Sequence, residues 1–266
     1  MSTRWLKVLR AEYLRELRTA LRYPMEIGTG LLVMFLFFAG IFFGARQIAG
    51  GSISTENTEM LMIGYCMWFF AIIALNAMSV DVENEARQGT LEQVFICAPA
   101  FLPVLWIRAL VKLTYGFFTV LLLGLSLQLL TGRWLAFQAA DILPGIVAIV
   151  LSIAGITGLG LLLGALSLVL KRVGQLSSII QFSLFIPAFS DLSKLSPAVQ
   201  GWVSHFPFTR GIMLLRSLLE SESLPESYWS QCGMLLLDTL AFAIIGSLVF
   251  LAMERLAKRD GSLAHY

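Results

Sequence analysis

The chain has 266 residues, of which 58% are hydrophobic and 14% charged, whereas a soluble domain carries about 25% charged residues. The charges are clumped, leaving apolar windows of the ~18 residues or more that mark transmembrane helices, so a soluble globular fold is excluded. A net charge of +2 gives no case for a nucleic-acid partner, and the basic residues flank apolar runs, where they read as topology signals and lipid-headgroup contacts.

Residues 4–22 are expected to form a basic amphipathic helix. At about 100° per residue, Trp5, Leu6, Leu9, Tyr13, Leu14, Leu17 and Leu21 fall on one half and Lys7, Arg15, Arg18 and Arg22 on the other. Arg10 and Glu16 break that separation. Such a helix suits a membrane surface; the alternative is packing on a partner protein. Tyr23-Pro24 ends it, because proline disfavours helical geometry in the residue before it. The first 26 residues hold six basic and three acidic side chains and no apolar run until Ile27, so no cleavable signal peptide is expected.

Six spans are expected. The first runs from about Ile27 to Ala45 and carries Gly40-x-x-x-Gly44, a spacing that lets helices approach closely. The second, about Met60 to Val80, carries Tyr65, Trp68 and Asn76. A charged stretch, 81–103, leads into a third span reaching about Leu130. The fourth, about Ile142 to Leu170, is rich in glycine (Gly155, Gly158, Gly160, Gly164), which predicts close packing. A shorter fifth span covers about Leu176 to Ala188, a mixed segment follows at 189–229, and the sixth covers about Gln231 to Met253. Six spans put both termini on one side; that side then carries 14 of the 19 basic residues and the other side five, which makes both termini cytoplasmic. The loop 81–95 dissents with four acids and one arginine, but acids contribute little to topology.

Catalytic chemistry finds little support. The two histidines, His205 and His265, lie outside the spans, and Cys66, Cys97 and Cys232 have no metal or disulfide spacing. There is no H-E-x-x-H, no G-x-S-x-G and no phosphate-cradling G-x-x-x-x-G-K-[ST]. The one acid well inside a span, Asp238, would cost about 2.5–3.5 kcal/mol at a bilayer centre, so it should face protein or water. Either it contacts a cation or substrate, or it is a hydrogen-bond partner for another helix. Arg210 and Arg216 read as a solvated or headgroup-facing edge. An intramembrane enzyme, which needs a second catalytic group, is the weakest reading; a membrane scaffold or channel subunit is an alternative to transport.

The most informative stretch is Asp81–Pro103. Thr90 and Gln93 make an S/T-x-x-E/Q capping box, which predicts a short helix over about Leu91–Cys97, stopped by Pro99. Its apolar Leu91, Val94 and Phe95 would be ringed by charge: either a docking site for another protein or a surface buried against the chain's own ends.

The run E-x-E-A-R-Q-G-T-L-E-Q-V-F, from Glu83 to Phe95, resembles the signature of type-2 ATP-binding-cassette (ABC) exporter permeases, where E-R-x-x-G-T-L-E precedes the third span. Leu17-Arg18 through Leu21-Arg22-Tyr23-Pro24 is similar to the family's interfacial helix. Leu195-Ser196-Pro197, Phe206-Pro207-Phe208-Thr209 and Leu215-Arg216-x-Leu218-Leu219 resemble its segment before the last span. The chain departs from the pattern at Ile186-Pro187-Ala188-Phe189, where glycine is common, and at Ser204-His205-Phe206, where an aromatic and Asn are common.

The resemblance covers nearly the whole chain and implies one permease domain, 1–266. It implies an all-α membrane fold of six transmembrane helices with an interfacial helix (1–24), a cytoplasmic coupling segment (81–103) and outer re-entrant helices (189–229). It implies coupling to a separate ATPase subunit through Glu85, Arg87, Gly89, Thr90, Leu91, Glu92, Gln93, Val94 and Phe95. It also implies a second permease subunit, identical or not, and a passage lined by the second and fifth spans at Tyr65, Trp68, Asn76, Gln181 and Phe185. Asp238 joins these as a passage candidate on its substrate-contact reading. No cofactor is expected on this chain; ATP and Mg would sit on the partner. The expected location is the inner (plasma) membrane, and the cargo amphiphilic, hydrophobic or lipid-like.

Overall fold

Proline 24 sets the first corner. Its ring fixes its own φ and pushes Tyr23 out of helical geometry, so Tyr23 sits at φ −123°, ψ 57° and Pro24 opens the next helix. The computed structural model describes residues 2–87, 101–135, 138–170, 173–190, 196–220 and 224–259. Over these the chain is helical: α1 Ser2–Arg22, α2 Pro24–Ile48, α3 Thr55–Arg87, α4 Phe101–Thr131, α5 Ile142–Leu170, α6 Gly174–Phe189, α7 Pro197–Ser204, α8 Pro207–Glu220 and α9 Tyr228–Arg259. A 3-10 turn, Ala139–Asp141, leads into α5. No strand occurs among the described residues.

Five helices, α2, α3, α4, α5 (with the turn before it) and α9, are long and apolar enough to cross a bilayer. The expected fifth span is α6, apolar but only 16 residues long, about 24 Å of helix against a ~30 Å hydrocarbon core. Several helices outrun their apolar cores. α3 continues as helix through the acidic residues to Arg87, and α9 continues through the basic tail to Arg259. The stretch 189–229 holds the two short helices α7 and α8, and α8 packs mainly on α5.

α5 is the central post, packed most extensively on α9 and then on α3. Its glycines do this at backbone distance. A Cβ on Gly158 would lie 2.8 Å from the Phe242 and Ala243 backbone of α9, and one on Gly246 would lie 2.5 Å from the Gly158 carbonyl. On another face, a Cβ on Gly160 would lie 2.6 Å from the Leu75 carbonyl of α3. In lipid no hydrophobic force distinguishes helix from solvent, so close van der Waals contact between small residues is what joins helices. Thr239 adds a cross-helix bond, its hydroxyl donating to the Leu151 carbonyl at 2.9 Å. By contrast Gly40 and Gly44 of α2 meet nothing within 4 Å, so that spacing plays no part in packing among the described residues.

Gly246→Val should therefore cost about 1–3 kcal/mol through overpacking, read as a lower melting temperature of the purified protein. Gly40→Ala should leave the melting temperature unchanged.

Candidate functional site

Three polar constellations interrupt the apolar packing. The first joins α3 and α6. Tyr65, Trp68 and Asn76 share a face of α3, and Ser177, Gln181 and Phe185, four residues apart, share a face of α6. The Gln181 side-chain amide donates to Asn76 Oδ1 at 2.9 Å and to Ser177 Oγ at 3.0 Å. Trp68 Nε1 donates to the Gln181 backbone carbonyl at 2.8 Å, and the Tyr65 hydroxyl donates to the Met34 carbonyl of α2 at 2.6 Å. Phe185 meets the edge of Trp68 at 5.2 Å and stacks on Phe189 at 4.2 Å. Five of the six residues expected to line a passage thus come together. Within one chain they form a packed seam: Tyr65 and Trp68 are buried, and the half-buried Asn76 and Gln181 amides pair with each other.

The sixth, Asp238, lies elsewhere, on α9. Arg210 Nε of α8 donates to its Oδ2 at 3.0 Å, and His205 Nδ1 lies 3.4 Å from its Oδ1. Its carboxylate is committed to tying α9 to α8, which is the helix-partner alternative. Arg210 and Arg216 are not the solvated edge expected. Arg210 is 7% exposed. Arg216 donates to the Ala188 and Ser190 carbonyls at 2.7 and 2.8 Å, capping the C-terminus of α6 with a cation. That end presses on α3, where a Cβ on Gly64 would lie 2.0 Å from the Ala188 carbonyl.

The third constellation stands where α3 leaves the bundle toward residues 88–100. Asp81 and Glu85 lie one helical turn apart on α3, and Arg108 and Lys112 one turn apart on α4. The helices run antiparallel, so the two pairs meet in register: Glu85 with Arg108, and Asp81 with Lys112 at 2.5 Å. Arg108 Nε also reaches Glu12 of α1 at 3.0 Å, and the Tyr13 hydroxyl meets Thr114 Oγ1 at 2.9 Å. These charges are largely withdrawn from solvent, with Arg108 11% and both glutamates 16% exposed. Glu85, expected to face an ATPase, is turned inward instead. Arg87 closes α3, and Gly89, Thr90, Leu91, Glu92, Gln93, Val94 and Phe95 lie outside the described residues.

Reading the sequence by spans missed this ladder, because Arg108 and Lys112 counted there only toward topology. The signal was present: two acids and two bases, each at i,i+4, flank the same connection. Among the described residues no three His, Cys, Asp or Glu side chains come together to hold a metal ion.

Arg108→Met removes the cation that Glu12 and Glu85 share and should destabilise the purified protein by about 3 kcal/mol, the low end for a broken buried pair. Adding Glu85→Gln to it should recover part of the lost melting temperature. The exchange Asp81→Lys with Lys112→Asp should keep more stability than either single change.

No protein-family model matches the chain, and no curated protein matches it.

Proposed function

We propose that the chain is the membrane-spanning subunit of an ATP-driven exporter, energised by a separate ABC ATPase subunit and paired with a second permease. The observation that carries this reading is the run from Glu83 to Phe95, which combines a capping box, apolar Leu91, Val94 and Phe95 and the E-A-R-Q-G-T-L-E pattern. The helix leading into that run is braced by the ladder to α4 and α1, so a push on it would pass to three helices as a unit. Such a push needs a rigid lever, and two antiparallel charge pairs with a shared arginine supply one.

In this reading α6 is the short fifth of six spans, α1 lies along the inner surface, and both termini are cytoplasmic. The exposed Leu6, Leu14, Leu17 and Leu21 of α1 would rest in the lipid interface, as an amphipathic helix of this kind does. ATP and Mg belong to the partner, since the chain has no phosphate-binding loop. The α3–α6 seam is the part of the passage that each subunit would bring to the dimer, and its amides and aromatics suit an amphiphilic or lipid-like cargo.

The test is co-purification with a co-expressed ABC ATPase subunit. The wild-type protein should retain the ATPase, and Leu91→Asp with Val94→Asp should release it while the permease still folds. If the wild type retains none, the exporter reading fails and a scaffold or channel subunit takes its place.

A further inference from the structure

One cleft in the molecule belongs to none of the three constellations, though it touches two. It lies between α1, α3 and α4, with Ile27 of α2 at its side, and has a volume of about 480 Å³, within the range of small-molecule sites. Phe69, Ile72 and Ile73 of α3 give it an apolar wall, and Gly116 lets that wall close on α4: a Cβ there would meet Ile73 at 2.8 Å. Its polar lining is Glu16, Lys112, Tyr115, Thr119 and Asn76.

The charge balance of that lining is asymmetric. Lys112 is held by Asp81 at 2.5 Å, and the nearby Arg108 is shared between Glu12 and Glu85. Arg15 and Arg18 line a separate groove on the other side of α1. Glu16, half-buried, makes no hydrogen bond or ion pair among the described residues. It is also one of the two residues that break the amphipathic pattern of α1. A carboxylate placed on the apolar side of an interfacial helix, beside a tyrosine ring and against an isoleucine wall, is costly unless a cation meets it.

We propose that this cleft binds a lipophilic cation. Its positive charge sits against Glu16 with the Tyr115 ring available for a cation–π contact, and its apolar body lies along Phe69, Ile72 and Ile73. From Lys112 to Thr119 the wall of α4 rises ~10 Å, enough for a ring system or the first part of an acyl chain. Asn76 links the cleft to the α3–α6 seam, since it lines the cleft and accepts from Gln181. That the bound molecule is cargo rests on the exporter reading; that it binds does not.

The experiment uses the purified full chain, without ATPase, in phosphatidylcholine nanodiscs titrated with radiolabelled tetraphenylphosphonium, with empty nanodiscs subtracted. The wild type should bind it saturably. Glu16→Gln should weaken binding at least tenfold, and Thr119→Trp, which fills the cleft without changing charge, should do the same. Arg18→Gln should leave binding unchanged, and tetraphenylborate, alike in shape and opposite in charge, should show no saturable binding. Equal binding of the borate, no saturable component, or wild-type affinity in both Glu16→Gln and Thr119→Trp overturns the proposal. Saturable, Glu16-dependent binding by a chain that retains no ATPase leaves the cleft standing and removes the exporter reading.

Discussion

The structure depends on one constraint: α5 must touch α9 and α3 at backbone distance. Helices in lipid gain nothing from hiding apolar surface, because their surroundings are already apolar. What remains is dispersion, which falls away within an ångström of separation. Gly158 and Gly246 bring α5 and α9 together carbonyl to Cα, and Gly160 does the same toward α3. With those helices fixed, α8 finds its place on α5 and the α3–α6 seam has a firm wall behind it. α2 is held more loosely by the rest of the chain: only 11% of its apolar window is buried, against 61% for α3.

Polar groups then do what glycine cannot, which is to choose orientation. Each of the three constellations ties elements that the chain brings together from a distance. Gln181 and Asn76 set the rotation of α6 against α3, since a buried amide left without a partner is costly. Arg210 and Asp238 pin α8 to α9, and Arg216 anchors the short α6 through its last carbonyls. The Glu85–Arg108 and Asp81–Lys112 pairs fix the register of α3 against α4, as a slip of one residue would separate both pairs at once. Glu12 draws α1 into the same network, so α1 is tied to the end of α3 and the start of α4 through Arg108.

In the exporter proposed above, this division would matter: a seam held by a few directional bonds could part, whereas glycine-packed helices would stay as they are. The rigid part would be α5 with α9 and α3, and the part able to respond would be α6, short and tethered at one end by Arg216. The cleft beside Glu16 is lined by α3 and α4, two of the helices that the charged ladder joins.

The sequence by itself determined the helical class, the membrane setting, the corner at Pro24 and the close packing of the glycine-rich α5, because each follows from local composition. Long charge-free windows, a proline and a run of glycines act within a turn or two of helix. The resemblance to exporter permeases, not a local pattern, grouped Tyr65, Trp68, Asn76, Gln181 and Phe185 as passage-lining residues, and the fold brings these five together. Tertiary structure alone decided what those groups face. Asp238 could be a substrate contact or a helix partner until Arg210 was found against it. Arg108 and Lys112 looked like topology markers until α3 folded back on α4 in register. The Gly40–Gly44 spacing, as legible as that of α5, packs against nothing among the described residues. Partners distant in sequence are chosen by how helices turn and cross, and no local pattern contains that.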